Sequence, residues 1–426
     1  MSVPLDRLYN FLHAVSDQDI IIYRWHVHGS RKLEHCKPLN PLPQNRVKKF
    51  ATMHMICHDQ EPLFFDQWEP AKLQPLFLSS EYKSGPRDIP NTPYSVLMNV
   101  VAGEFFLHDR VILLHSEQHS QDLERFESNG AVGCYWWSHA VIARDWYRYA
   151  EIDPVLQRNH TPTTDFLIYN RAWSGTREYR LKFAEMVIDS GLANHCQMGF
   201  SARDNNINYQ DHHYHNVDFE INRNDIEHHF VNNQSPPESS ADYVSHDYVS
   251  TGIEVVLETL FDDHRWHLTE KSLRPIACGQ PFILAATPGS LKYLRSYGFQ
   301  TFGDIIDESY DLESDPVKRL KKIVKVMQDI AVLPAVEKGQ LWTKLQARAN
   351  HNRRRFFSQE FHNHVVGEFQ QNLKESVSKM KQYATAAQWR QYMREFGPGI
   401  MCAPGADTRQ DAVQKWLRIQ AAQQDK

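Results

Sequence analysis

The chain has 426 residues, of which 41% are hydrophobic, 12% aromatic and 23% charged, with a formal net charge of −5. Such a length exceeds what one compact core usually holds and predicts two domains, while the composition excludes a disordered or collagen-like chain. Apolar runs such as Asp19–Tyr23 and Pro281–Ala286 are far too short to span a bilayer, so no membrane-embedded segment is expected.

Six cysteines (Cys36, Cys57, Cys134, Cys196, Cys278 and Cys402) are scattered without a CxxC pair, which fits a reducing compartment and argues against a zinc ribbon or a thioredoxin-like centre. The first fifteen residues have no basic start followed by an apolar core, so the sequence predicts no secretory leader and a cytoplasmic location. The sequons at Asn159 and Asn233 then carry no meaning. Charge is unevenly spread: Val317–Lys426 holds 20 Lys and Arg against 9 Asp and Glu, whereas the preceding residues hold 27 against 43. A basic end on an acidic body suggests an anionic partner, the alternative being a solvated helical surface.

In chain order, the first half predicts strands at Asp19–Tyr23, Thr52–Cys57, Val111–His115 and Val132–Trp136, with helices at Tyr94–Leu107 and His139–Ala150. The second half predicts strands at Phe166–Tyr169, Gln197–Phe200, Ile253–Glu258 and Pro281–Ala285. Between them Arg177–Ser190 has the apolar spacing of a helix that Gly191 would end, and Gly279 and Gly298 punctuate two later helices in the same way. Regular alternation of strand and helix predicts an α/β protein with parallel sheets, in two Rossmann-like halves. The boundary is expected in the Pro-containing stretch Glu151–Thr164, which divides residues 1–160 from a second domain at 161–330. A basic helical region at 331–426 follows. Ser201–Ser250, rich in Asn, His, Asp and Ser, is too long for an ordinary connection and reads as a lid or an excursion near a site.

Thr269 stands as an N-cap before a helix-compatible run whose first turn contains Glu270 and Lys271. A helix N-terminus suits a diphosphate, with Lys271 meeting phosphate and Glu270 accepting from ribose hydroxyls, the alternative being an ordinary solvated first turn. Asp165–Arg180 reads as a strand, a polar Gly-containing turn and a helix. Arg171 and Arg177 there offer planar forks of donors for phosphate without a metal, while Arg180 could simply point to solvent. A general base is sought just after strands of the first half: Asp59 and Glu61 in His58-Asp59-Gln60-Glu61, then Glu117. Helix caps and turn formers would explain the same residues.

The 23 histidines crowd at His212, His213, His215, His228 and His229, but no spacing matches a known zinc pattern, and no metal is predicted. The triplet Asp17-Gln18-Asp19 precedes a strand, whereas a metal-binding DxD should follow one. No P-loop and no GxGxxG is present, which argues against kinase and dehydrogenase readings. Near the basic end Arg353, Arg354 and Arg355 form the clearest candidate for nucleic-acid phosphates, whereas Phe356, Phe357, Phe361 and Val365 have core spacing.

The stretch from His267 to Asp311 carries Thr269-Glu270-Lys271, then Gly279-x-Pro281-Phe282-Ile283, then Leu291-x-x-Leu294-Arg295-x-x-Gly298-Phe299-x-Thr301-Phe302 and Asp307-Glu308-Ser309-Tyr310-Asp311. This order resembles the donor half of GT-B glycosyltransferases, among them fucosyltransferases and phage-type enzymes. The resemblance implies two Rossmann-like domains facing a cleft, with a UDP- or GDP-sugar in the C-terminal one. It makes Thr269, Glu270 and Lys271 donor ligands and requires no cofactor beyond that substrate. By its likeness to the phage-type enzymes the expected acceptor is the hydroxyl of a hydroxymethylated pyrimidine in phage DNA, the alternative being a fucosyltransferase-like enzyme acting on a surface glycan. A non-catalytic nucleic-acid-binding protein on the same fold is the third reading.

Overall fold

Val111–His115 and Thr251–Leu257 are short runs of β-branched and apolar residues that are buried on both faces, as Ile112, Leu113, Leu114, Ile253, Val255 and Val256 are here. Such two-sided burial is the mark of a parallel sheet covered by helices. The computed structural model describes residues 20–24, 37–38, 53–58, 111–128, 132–157, 161–230, 240 and 242–383. By contacts the chain divides at Ser138/His139 and again at Val365/Val366, so that one unit is 1–138 with 366–426 and the other is 139–365.

In the first unit β1 (Ile20–Arg24), β2 (Lys37–Pro38), β3 (Met53–His58), β4 (Val111–His115) and β5 (Val132–Tyr135) form one sheet in the order β2-β1-β3-β4-β5. All four pairings are parallel, and His58 lies opposite His115 at the carboxyl ends of β3 and β4. Helix α1 (Gln121–Ser128) connects β4 to β5, its start capped by the Ser120 hydroxyl accepting from the Leu123 N–H at 3.1 Å. The helix predicted at Tyr94–Leu107 and the triplet Asp17-Gln18-Asp19 lie outside the described residues.

The second unit begins in α2 (Ser138–Trp146) and then runs β6 (Thr164–Asn170), α3 (Tyr179–Asp189) and β7 (Cys196–Phe200). A two-stranded hairpin, β8 (Arg203–Asp204) with β9 (Ile207–Asn208), and the short helices α4 (Ile226–His229) and α5 (Ser245–Ser250) precede β10 (Thr251–Leu257). Then come α6 (Glu270–Cys278), β11 (Phe282–Ala285) and α7 (Ser290–Ser296). Its sheet has the order β11-β10-β6-β7, again wholly parallel. Both strand orders therefore reverse direction once. The strand that opens each one (β1, β6) is flanked by the second and the third, and the chain reverses its winding direction there. Ligands of open α/β sheets bind at this switch point, outside the carboxyl ends of the strands.

Most predicted strands fall within two residues of those observed, because each is a continuous apolar run. Helix α6 ends at Gly279, whose φ of 75° is the left-handed conformation that closes a helix most easily without a Cβ. Three helices close the chain: α8 (Pro316–Ala331), α9 (Ala335–Phe357) and α10 (Gln359–Tyr383). Phe356, Phe361 and Val365 are buried, as their spacing predicts, whereas Phe357 is only half-buried. Helix α10 starts in the second unit and continues into the first, where Asn372 and Ser376 donate to the carbonyls of Tyr135 and Gly133, both at 2.9 Å. These bonds and the packing of Phe369 on Trp136 cover β5, an edge strand that would otherwise offer its backbone to other chains. Among the described residues no helix is long and apolar enough to cross a membrane.

Candidate functional site

At the carboxyl ends of β6 and β10 the chain leaves the sheet in two polar loops, 171–178 and 258–269. Arg180, on the first turn of α3, ties them together. Its guanidinium donates to the carbonyls of Ala172 (2.6 Å), Leu257 (2.6 Å) and Glu258 (2.9 Å). Tyr179 beside it donates to the Glu258 carbonyl at 2.7 Å. Arg180 is thus a buried brace rather than a solvent-facing side chain.

Glu258 is the residue that sequence reasoning missed. Its carboxylate is fully buried and accepts from the Thr269 N–H (3.0 Å), the Thr269 hydroxyl (2.7 Å), the Ser272 hydroxyl (2.6 Å) and the Thr259 N–H (3.1 Å). It occupies the start of α6 from within the protein. The one available signal was a carboxylate placed directly after the apolar Val255-Val256-Leu257 end of a strand. Thr269 is the N-cap as predicted, accepting from the Lys271 N–H.

Lys271 lies across this start. Its ammonium donates to the hydroxyls of Thr269 (2.8 Å) and Thr259 (3.2 Å) and lies 3.6 Å from Glu270 and 3.9 Å from Glu258. Glu270 is not part of a solvated first turn. It is buried and paired with Nδ1 of His139, on α2, at 3.0 Å, and His139 meets His267 edge-on. Burial pushes the Glu270 carboxyl up, but Lys271 and the His139 bond outweigh it and hold the group well below the ordinary carboxylate range.

Arg177 ends the short helical turn Gly175–Arg177, is half-buried, and lies close enough to Asp204, Tyr179 and Arg180 to act on their ionisation. Among the described residues no hydrogen bond or ion pair engages its guanidinium. Arg171 is exposed at the exit of β6. The strands thus bring Arg171, Arg177, Thr269, Glu270 and Lys271 to one edge of one sheet, the edge at its switch point.

The remaining predicted residues are elsewhere. Glu117 follows β4 and is buried, with its carbonyl 3.0 Å from Nδ1 of His115. Asp59 and Glu61 lie outside the described residues, immediately beyond β3. Arg353 donates to the carbonyls of Ala150 and Glu151, and Arg355 to that of Tyr297 at 3.1 Å. Of this run only Arg354 is exposed. In the His-rich stretch His212 pairs with Glu178 and His229 with Asp225, and no three His, Cys, Asp or Glu among the described residues are gathered to hold a metal ion.

Asp311 lies in the short helical turn Ser309–Leu312, which follows α7. Its carboxylate accepts from the Leu291 N–H at 3.1 Å and its carbonyl from Gly289, whose φ of 82° and close approach to the Trp266 indole exclude a side chain there. Burial pushes the Asp311 carboxyl up to about 6 from 3.8. The folded protein therefore holds this proton more tightly than the unfolded chain, and ionisation costs stability as pH rises through 4 to 6. Asp311→Asn keeps the acceptor oxygen. It should raise the unfolding free energy at pH 7.5 by about 1–3 kcal/mol, a gain that shrinks as pH falls toward 4. Urea titrations across that range check it; a gain independent of pH would refute the assignment. No family model, curated protein or solved structure matches the chain.

Proposed function

We propose that the chain is a glycosyltransferase of the GT-B arrangement, with two Rossmann-like domains facing a cleft, that moves a sugar from a nucleotide donor to a hydroxyl. The observation that carries this reading is Arg177, a half-buried guanidinium at a switch point with no bonded partner among the described residues. A cation kept there is suited to an anion, and a planar fork of donors to a diphosphate. Lys271 adds a second charge at the edge of the same sheet, and Glu270, held ionised, is an acceptor for ribose hydroxyls. In this reading Asp59, Glu61 or Glu117 takes the acceptor's proton.

A hydroxymethylated pyrimidine in DNA is the proposed acceptor, with Arg354 the exposed cation of its run. The engagement of Arg353 and Arg355 with backbone carbonyls favours a glycan as the second acceptor, since it removes two phosphate contacts from a nucleic acid. Calorimetric titration with UDP-, GDP- and CMP-sugars tests the donor, and incubation with hydroxymethylated duplex or oligosaccharide tests the acceptor. One donor should bind, and Arg177→Ala should weaken it by about 10- to 100-fold, the loss of one or two charge-assisted hydrogen bonds. Binding of none of these donors by the parent protein removes the reading.

A further inference from the structure

The excursion that follows β7 has a built interior. Tyr209, Phe219, Ile226 and Phe230 are buried, and the Tyr209 hydroxyl bonds Glu227 and the Ile226 N–H. It opens with the β8–β9 hairpin, turned by Asn205 and Asn206 at φ 48° and 66°, the backbone of a two-residue hairpin loop that asparagine tolerates. That turn places Asp204 against the loop after β6. One carboxylate oxygen of Asp204 accepts from the N–H groups of Trp173 (2.9 Å) and Ser174 (2.7 Å) and from the Ser174 hydroxyl (2.7 Å). Asn205 adds a bond to the same hydroxyl at 2.9 Å, and the Trp173 indole donates to the Ser201 carbonyl at 2.9 Å.

Further along, the same segment grips the other end of the loop. The Glu178 carboxylate lies 2.8 Å from Nε2 of His212 and accepts from the N–H groups of His215 (2.9 Å) and Asn216 (3.1 Å). Asn216 also donates to Asp262, in the loop after β10, at 2.6 Å. Thus Trp173–Ser174 and Glu178 are fixed on either side of Arg177, and both loops of the switch point are reached by one segment. Burial raises the Asp204 carboxyl, but the bonds from Ser174 and Trp173 and the nearby Arg177 charge lower it further, so it stays ionised.

We propose that residues 201–230 form a clasp that holds the β6–α3 loop in its anion-accepting shape, with Asp204 as the positioning residue for Arg177. The role rests on the nucleotide-donor reading, whereas the clasp itself does not. The preorganised loop spares the ligand the cost of ordering it. The clasp fastens the neighbours of Arg177 and leaves its guanidinium unbonded among the described residues.

The test combines two readouts on the full chain. UDP and inorganic diphosphate are titrated into the parent, Asp204→Ala, Arg177→Ala and the double variant, and amide exchange is followed at Trp173 and Ser174. Asp204→Ala should speed exchange at both amides and weaken UDP binding about tenfold. The double variant should bind no more weakly than Arg177→Ala alone, because Asp204 acts through Arg177. Asp204→Asn, which keeps an acceptor oxygen, should restore most of the affinity. Should Asp204→Ala fail to fold, Ser174→Ala removes the hydroxyl with its bonds to Asp204 and Asn205, keeps both amide bonds to Asp204, and should show the same coupling to Arg177. Faster exchange with unchanged affinity, or losses that add in the double variant, would overturn the positioning role. A parent that binds neither UDP nor diphosphate, with both amides slow to exchange, would leave the clasp standing but refute its role toward an anion and the UDP-donor reading.

Discussion

Glu258→Ala is expected to lower the unfolding free energy by about 3–5 kcal/mol, the largest effect of any single truncation at the site. The carboxylate it removes is fully buried and accepts four hydrogen bonds, all from groups that have left water with it. Alanine would leave the Thr269 and Thr259 amides and the Ser272 hydroxyl without an acceptor, and a stranded buried donor costs about 1–3 kcal/mol. Lys271, 3.9 Å away, would lose one of its two carboxylate neighbours. Glu258→Gln keeps one acceptor oxygen but turns an amide NH2 toward donors, so its loss should be intermediate. Denaturant unfolding of the parent and both variants decides this; a loss below about 1 kcal/mol for alanine would mean that water replaces the carboxylate at little cost. Under the proposed nucleotide-donor reading, donor affinity should fall in parallel, since the start of α6 is organised around this group.

The second large effect is expected at Arg274, which holds the same helix to the sheet. Its guanidinium pairs with Glu254, on β10, at 2.8 Å and lies over the Tyr169 ring at 4.2 Å. Glu254 also accepts from the Tyr248 hydroxyl at 2.7 Å, and both members of the pair are buried. Burial pushes the Glu254 carboxyl up, against the pull of Arg274 and Tyr248. Arg274→Met would leave a buried carboxylate without its cation, at a cost of about 3–5 kcal/mol near neutral pH. The cost should shrink as pH falls, because the stranded Glu254 then takes up a proton and no longer holds an uncompensated charge. The double variant Arg274→Met with Glu254→Gln should recover much of the loss, since no charge is left in the core. Equal stability of the single and double variants at pH 7.5 would contradict this account.

Together the two residues explain how α6 is placed. Glu258 fixes its first turn from the end of β10, and Arg274 fixes its second half to the middle of that strand. Glu270 and Lys271 are positioned as a consequence, at a strand edge where the switch in winding direction opens the sheet.

From the sequence alone the elements, their order and several of their ends were legible. Val111–His115, Cys196–Phe200 and Phe282–Ala285 are apolar runs of strand length, Thr269 is an N-cap type before a helical run, and Gly279 is a helix-ending residue; each signal is local and survives folding unchanged. The gathering of Arg177 and Lys271 followed from the same alternation, because parallel strands bring the loops at their carboxyl ends to one edge. Which partner each polar side chain meets was decided by tertiary structure. Glu270 is buried because α2 brings His139 to it, Arg180 points inward because three carbonyls of two strand ends converge on it, and Arg353 and Arg355 face carbonyls of Ala150 and Tyr297. Residue type and period encode what a segment forms, whereas burial of a charge depends on donors and acceptors far along the chain, which only packing brings within 3 Å.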